Sequence, residues 1–230
     1  MQIVILLYPN MTQLDFTGPF EVFAAIPDAK IDLVWKTTDP VSDVNGLTIV
    51  PSASLADAPQ ADLLFVPGGF GQAVLMEDDE VLDWLRKQAE GAKYITSVCT
   101  GSLILAAAGL LDGYRATSHW HWIDQLKLFG AEPVSERVVI DRNRITGAGV
   151  SAGIDMALSL VAELYGEAVA RTIQLGIEYD PSPPFDGGHP SRESEEIVAM
   201  LTARLSGIEE ARWEIAEKAA ARLKERRPES

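Results

Sequence analysis

Short apolar runs alternate along the chain with segments whose apolar residues recur at helical spacing. Four runs have strand length and lack the alternation of a half-exposed strand: residues 2–8, 31–36, 61–66 and 94–98. Between them, residues 18–26 and residues 79–92 carry apolar side chains at helical spacing. Strands that are apolar throughout and separated by helices are typical of a mostly parallel sheet with helices on both faces. The pattern therefore predicts a three-layer α/β fold.

The second half of the chain adds a hairpin and further helices. Residues 137–141 and 144–146 predict a β-hairpin, and residues 154–164 predict a helix. Residues 180–190 are rich in proline and glycine and predict an irregular connection. The sequence after this connection is charged and helical.

We therefore divide the chain into an α/β domain, residues 1–190, and a C-terminal helical extension, residues 191–230. The extension carries apolar side chains that predict packing on the core or on a second subunit. These residues are Ile197, Met200, Leu201, Leu205 and Ile208.

Composition and charge narrow the classes of function. Nineteen Lys and Arg against thirty-four Asp and Glu give a formal net charge of −15, which argues against nucleic acid and mildly favours a neutral ligand. The apolar run at the N-terminus is too short for a signal peptide or a membrane span. A single cysteine cannot form an internal disulfide, so we expect a cytoplasmic protein. Three scattered histidines show no metal-ligand spacing, and we expect no metal.

Cys99 is the only cysteine and follows the predicted strand 94–98, directly before an Ala- and Leu-rich helical segment. A thiol at the N-terminus of a helix is stabilised as a thiolate, so we expect a lowered pKa. The arrangement is the sulfur counterpart of the Gly-x-Ser-x-Gly nucleophile elbow. The alternative is a buried structural cysteine.

Asp15, Glu21 and His119 lie on segments expected to end near the same edge of the sheet, where each could exchange protons with the thiol. Asp15 stands between two apolar residues just ahead of a predicted helix. It is either a helix cap or a desolvated carboxyl with a raised pKa. Glu21 has the pattern of a surface charge. His119 ends a predicted strand, residues 115–120, and is either near the thiol or a structural histidine.

A glycine-rich turn, Pro67-Gly68-Gly69-Phe70-Gly71, follows the third predicted strand. Glycines there allow backbone N–H groups to approach a ligand, so the turn could form an oxyanion hole together with the Thr100 N–H. The alternative is a plain tight turn. The segment lacks the rest of a dinucleotide-binding or P-loop signature, and we expect no cofactor.

Three of these segments together resemble the ThiJ/PfpI superfamily, which has the flavodoxin-like fold of class I glutamine amidotransferases. They are Pro67-Gly68-Gly69, Ser97-Val98-Cys99-Thr100-Gly101 and Thr117-Ser118-His119-Trp120. Longer phrases at residues 13–19, 96–102, 149–155 and 178–185 are similar to the isocyanide hydratase family across nearly the whole chain.

That family converts an isocyanide and water to an N-formamide. The resemblance implies that Cys99 is the nucleophile and Asp15 the acid/base, where the superfamily more often has a glutamate. In this scheme Cys99 adds to the isocyanide carbon, Asp15 protonates that carbon as a thioimidate forms, and water completes hydration. Phe16, Trp120 and Val150 are candidate walls of an apolar pocket. The resemblance also implies a homodimer.

Two other functions share the same motifs. Transcription factors of the AraC type carry similar domains, but they need a DNA-binding domain of about a hundred residues. Only about forty residues follow Pro190, which places this function below the enzyme. A stress protein that handles glyoxals with the same thiol is the second alternative, and the aspartate at position 15 argues against it.

Overall fold

A seven-stranded sheet forms the centre of the protein, and the computed structural model describes residues 1–226 of the chain. The strands in chain order are β1 (Gln2–Leu6), β2 (Lys30–Trp35), β3 (Val41–Ser42), β4 (Thr48–Ile49), β5 (Ala53–Ser54), β6 (Leu63–Val66), β7 (Tyr94–Val98), β8 (Arg115–Ala116), β9 (Glu132–Pro133), β10 (Val138–Asp141) and β11 (Arg144–Gly147). Their order in the main sheet is β10-β11-β7-β6-β1-β2-β5. Every neighbouring pair in this sheet is parallel except the hairpin β10/β11.

Helices pack in two groups against this sheet. They are α1 (Gln13–Ala24), α2 (Gln72–Leu75), α3 (Asp79–Gly91), α4 (Gly101–Ala107), α5 (Ala152–Tyr165), α6 (Glu167–Gly176) and α7 (Glu195–Glu225), with 3-10 turns at Ile123–Phe129 and Pro190–Arg192. Helices α1 and α6 both pack against α5, whereas α2, α3 and α7 pack against α4. The flanked, mostly parallel sheet confirms the predicted α/β fold.

The uninterrupted apolar runs are buried because both faces of the sheet are covered. In β1, Ile3 to Leu6 are fully buried, and all four residues of β6 are buried as well. Each such side chain contributes about 1.5–3 kcal/mol to folding. The parallel strands β1, β6 and β7 bring their carboxyl ends to one edge, which is where α/β proteins place ligands.

Two predicted boundaries are wrong, and both lie near this edge. Helix α1 begins at Gln13 and not at residue 18, because Pro19 packs against α5 at Gly153 and the helix continues through it. The predicted strand 115–120 contains only the two residues of β8. Its ladder ends where the Thr117 N–H donates to the Thr146 side-chain oxygen, at 2.9 Å.

The C-terminal helix α7 packs on the core through its second half. Its buried residues are Arg212, Ala216, Ala219, Ala220 and Leu223. In the first half, Ile197 and Met200 are 52% and 62% exposed in the single chain, so the core leaves this part of the predicted apolar stripe uncovered. That a second subunit covers this stripe stays a prediction. Residues 227–230 of the predicted extension lie outside the described residues.

The lengths and polarity of the helices show whether any of them could cross a membrane. Within residues 1–226, no helix is both long enough and apolar enough to cross a membrane.

Candidate active site

Cys99 occupies a sharp turn between β7 and α4. Its φ of 56° lies in the left-handed region, which is strained for a residue with a side chain. Hydrogen bonds hold the turn: the Cys99 N–H donates to the carbonyls of Gly147 (3.0 Å) and Ala148 (2.7 Å). The Cys99 carbonyl accepts from the hydroxyls of Ser102 (3.1 Å) and Ser118 (3.0 Å). The predicted nucleophile elbow is therefore present.

The glycine turn lies directly against this elbow. A Cβ at Gly68 would come within 2.6 Å of the Thr100 nitrogen and 2.8 Å of the Cys99 Cβ. A side chain cannot be accommodated at such distances without displacing backbone. Glycine at position 68 thus permits close contact between the residues that follow β6 and those that follow β7.

Asp15 lies in the first turn of α1 and is completely buried. Its Oδ2 accepts a hydrogen bond from the Gly68 N–H at 3.0 Å, while Oδ1 has no hydrogen-bonding nitrogen or oxygen within residues 1–226. The helix-cap alternative does not hold, because the carboxyl binds the glycine turn and not its own helix. Burial raises the pKa of Asp15 to about 7, against the opposing effects of Gly68 and Cys99.

The Cys99 thiol interacts with the Asp15 carboxyl, and its pKa is raised well above the usual value. Burial is the main cause, and the negative charge of Asp15 adds to it. The expectation of a lowered pKa is wrong, because Cys99 is only 5% exposed and its thiol interacts with the Asp15 carboxylate. The thiol is therefore protonated near neutral pH, and the Asp15 carboxyl lies beside it.

The buried carboxyl gives a first prediction, which concerns stability. The pKa of Asp15 is about 7 in the folded protein against an ordinary 3.8. Folding therefore favours the neutral form of the Asp15 carboxyl. The stability that the neutral carboxyl contributes to the folded protein is lost as pH rises from about 4 to about 7. We expect Asp15→Asn to match the wild-type free energy of unfolding at pH 4 and to exceed it by up to about 4 kcal/mol at pH 8. Urea unfolding at both pH values measures this, and a difference that is the same at both contradicts it.

His119 lies on the wall of the same cavity as Cys99. Burial lowers the pKa of His119 to about 4, assisted by charge on His121 and Arg212, so the imidazole is neutral near pH 7. Its Nδ1 accepts the His121 N–H at 3.3 Å, which leaves the proton on Nε2. A proton-transfer role for His119 stays a prediction.

A cavity of about 190 Å³ opens beside the thiol. Its walls are Thr12, Gly69, Phe70, Cys99, Thr100, His119, Trp122, Val150, Leu201, Leu205 and Arg212. Val150 lies where predicted, but Phe16 belongs to the core and Trp120 lines a neighbouring cavity of about 490 Å³. Trp122 lines the cavity in place of the expected Trp120. The chain turns here, because the Trp122 N–H donates to the His119 carbonyl at 2.9 Å.

The expected oxyanion hole stays a prediction, and two of its glycine N–H groups already have hydrogen-bond partners. The Gly69 N–H donates to Thr100 Oγ1 at 3.0 Å, and the Gly68 N–H is held by Asp15. Both donors therefore fix the site and are not free for a ligand. The Thr100 N–H interacts instead with the Cys99 sulfur. This interaction opposes part of the rise that burial and Asp15 cause in the pKa of the thiol.

Sequence reasoning missed several residues of this cavity. Arg212, Leu205 and Leu201 come from α7, far along the chain from Cys99, and no local motif marks them. The apolar spacing of α7 was the one available signal, and it indicated packing rather than a site. Within residues 1–226, no three His, Cys, Asp or Glu side chains are grouped closely enough to hold a metal ion.

Comparison with known proteins agrees with the elbow and the sheet. Residues 1–163 match the DJ-1/PfpI family. The chain belongs to this family. It is 49% identical over 223 residues to an isonitrile hydratase from Pseudomonas putida, covering 97% of this chain and 98% of that protein. A crystal structure of a ThiJ/PfpI family protein from Pseudomonas syringae superposes with a TM-score of 0.90 at 46% identity, covering 95% of this chain and 90% of that one.

These similarities confirm the resemblance and the flavodoxin-like fold inferred from the sequence. An HTH-type transcriptional regulator, CdhR from Pseudomonas aeruginosa, is 34% identical over 172 residues. That match covers 72% of this chain but only 51% of the regulator. The similarity to the hydratase is thus both higher and nearly complete in each chain.

Proposed function

We propose that the protein is an isonitrile (isocyanide) hydratase that forms N-formamides, with Cys99 as nucleophile and Asp15 as proton carrier. Near-full-length identity to the Pseudomonas putida hydratase supports this reaction. The observation that carries the mechanism is the buried pair itself: a protonated thiol beside a carboxyl whose pKa is about 7.

In the first step, Cys99 and Asp15 both act on the terminal carbon of the isonitrile. The terminal carbon of an isonitrile accepts a nucleophile and a proton. The Cys99 sulfur bonds to this carbon while the thiol proton passes to Asp15. Asp15 then gives that proton to the same carbon, which yields a thioimidate, R–N=CH–S–Cys99. The site carries one negative charge before and after this step, so no additional charge is buried.

The second step returns the enzyme to its starting state. Asp15, ionised again, takes a proton from water as the water oxygen bonds to the thioimidate carbon. Asp15 passes this proton to the nitrogen, the C–S bond breaks, and the hydroxyl proton of the adduct passes through Asp15 to the sulfur. The product is R–NH–CHO, which contains the atoms of one isonitrile and one water.

The cavity suits a neutral substrate. Phe70, Trp122 and Val150 supply apolar walls near the thiol. The net charge of −15 disfavours capture of anions from solution. A small substrate is also consistent with a volume of about 190 Å³.

Asp15 predicts the pH dependence of the reaction. Below about pH 7 the carboxyl is protonated and cannot accept the thiol proton, since its pKa is about 7. We expect kcat/KM to rise with pH, to reach half its maximum near pH 7 and to level off above it. Initial rates between pH 5 and pH 9 measure the profile. A rate that is constant across this range contradicts the assigned role.

The direct test of the function is incubation of purified protein with an alkyl isonitrile, with formamide followed by proton NMR. Cys99→Ala is the matched control for reaction catalysed elsewhere on the protein. Formamide from the wild type alone supports the proposal. Absence of formamide from both contradicts it and leaves the regulator or the glyoxal-handling protein as the better candidate.

We further propose that the protein is a homodimer in the cytoplasm. The exposed Ile197 and Met200 support a partner surface on α7. Light scattering on the purified protein tests the dimer, and a monomer mass contradicts it.

A further inference from the structure

Arg212 is a buried arginine that the proposed reaction does not use. It lies in α7, is 6% exposed and lines the cavity that contains Cys99. Its Nη2 donates to the Phe70 carbonyl at 2.6 Å, and its Nη1 donates to Gln72 Oε1 at 3.1 Å. Phe70 belongs to the glycine turn that contacts the elbow and Gln72 directly follows it, so Arg212 ties α7 to that turn.

The charge of Arg212 has no carboxylate partner within residues 1–226. Burying an unpaired cation is costly, and removal of the charge would ordinarily stabilise such a site. The guanidinium lies over the rings of Trp122, at 5.0 Å, and Phe70, at 5.4 Å, which compensate only part of the charge. A buried cation that lines the same cavity as the only cysteine indicates a task in the site.

The other ionisable groups around the cavity do not supply positive charge. His119 and His121 both have lowered pKa values, and Tyr8 has a raised one because it is buried. Asp15 supplies negative charge beside the sulfur, and Glu209 of α7 lies 3.8 Å from His121. The negative charge of ionised Cys99 favours the charged form of Arg212.

We propose that Arg212 is a positioning residue of the active site: its guanidinium fixes the residue 67–72 segment and places a positive charge in the Cys99 cavity that stabilises negative charge on the sulfur. The catalytic part of this role rests on the proposed function. The guanidinium stabilises the negative charge on the sulfur once the thiol proton has passed to Asp15, and it offsets the repulsion from ionised Asp15 when the C–S bond breaks.

The test separates charge from anchoring by comparing Arg212→Lys with Arg212→Met, since both side chains are unbranched and similar in volume. Cys99 is the only cysteine, so the rate of alkylation by iodoacetamide reports its thiolate directly. At pH 8 we expect Arg212→Met to react about 3- to 30-fold more slowly than Arg212→Lys. We expect its kcat for a neutral alkyl isonitrile to fall about 10-fold or more, with KM little changed.

Arg222→Met is the matched control for anchoring of α7. Arg222 donates to the Glu77 carbonyl and to Asp79, away from the cavity, so alkylation and turnover should match the wild type. Arg212→Gln serves as a second neutral variant if Arg212→Met does not fold. Equal alkylation rates in the Lys and the neutral variants would overturn the proposal and reduce Arg212 to a structural anchor.

Two further outcomes of the turnover and alkylation measurements lead to different conclusions. A loss confined to KM for a carboxylate-bearing isonitrile, with the neutral isonitrile unaffected, contradicts the proposal and assigns Arg212 to binding of anionic substrates. Slower alkylation in Arg212→Met than in Arg212→Lys, together with no turnover by the wild type, leaves the charge role standing and contradicts the hydratase function. The alkylation measurement thus separates failure of this inference from failure of the proposed function.

Discussion

Cys99→Ala and Cys99→Ser should reduce isonitrile hydration to the uncatalysed background while the fold is retained. The proposed reaction places its covalent bond on this sulfur, and the chain has no second thiol. Serine preserves the size of the side chain, but its hydroxyl is a far weaker nucleophile and the neighbouring carboxyl is too weak a base to ionise it. Neither change adds volume to the elbow.

Formamide production at saturating isonitrile measures the effect, and near-ultraviolet circular dichroism verifies the fold. The hydroxyls of Ser102 and Ser118 still bind the backbone carbonyl at position 99 in both variants, so the turn should persist. Turnover at the wild-type rate by either folded variant is incompatible with covalent catalysis by Cys99.

Asp15→Asn should lower kcat by at least ~10²-fold, the lower range for general acid/base catalysis. Asparagine can still accept the Gly68 N–H, so the local geometry is kept while the transferable proton is lost. Asp15→Glu should also be impaired, because an added methylene has no room where the carboxyl is fully buried.

Asp15→Asn should change both the stability and the activity of the protein, and the two changes together test the role of the carboxyl. The variant should be more stable than the wild type at pH 8 and yet nearly inactive, since a buried carboxylate is costly to folding and necessary for proton transfer. Steady-state rates and urea unfolding on the same preparation measure both. Full activity in this variant contradicts the proton route through Asp15.

Much of the fold follows from local pattern. The fully apolar strands β1 and β6 could only be buried on both faces, and the spacing between them required crossover helices. The errors arose where tertiary contacts override local preference. The apolar spacing over residues 18–26 predicts a later start for α1, but packing of Pro19 against α5 stabilises the longer helix.

The site was predictable to the extent that its residues lie next to the ends of strands. Cys99 and Asp15 are both near the carboxyl edge of the sheet, and the structure places them together. Arg212 and Trp122 were not predictable, because one comes from a distant helix and the other from an irregular turn.

The pKa of the thiol illustrates a competition between two electrostatic effects. The position of Cys99 before α4 favoured a thiolate, but that helix has only seven residues and the sulfur is buried. Desolvation and the adjacent carboxylate outweigh the helix terminus, so the direction of the shift reverses. Burial could not be inferred from the local sequence.

Mass spectrometry of the protein during a single turnover tests the covalent mechanism most directly. Protein in excess is mixed with an alkyl isonitrile, quenched at successive times and digested. The thioimidate predicts a transient gain equal to the mass of the intact isonitrile, located on the peptide that contains Cys99 and absent from Cys99→Ser. Formamide formed in that single turnover while the Cys99 peptide keeps its unmodified mass at every time would contradict it.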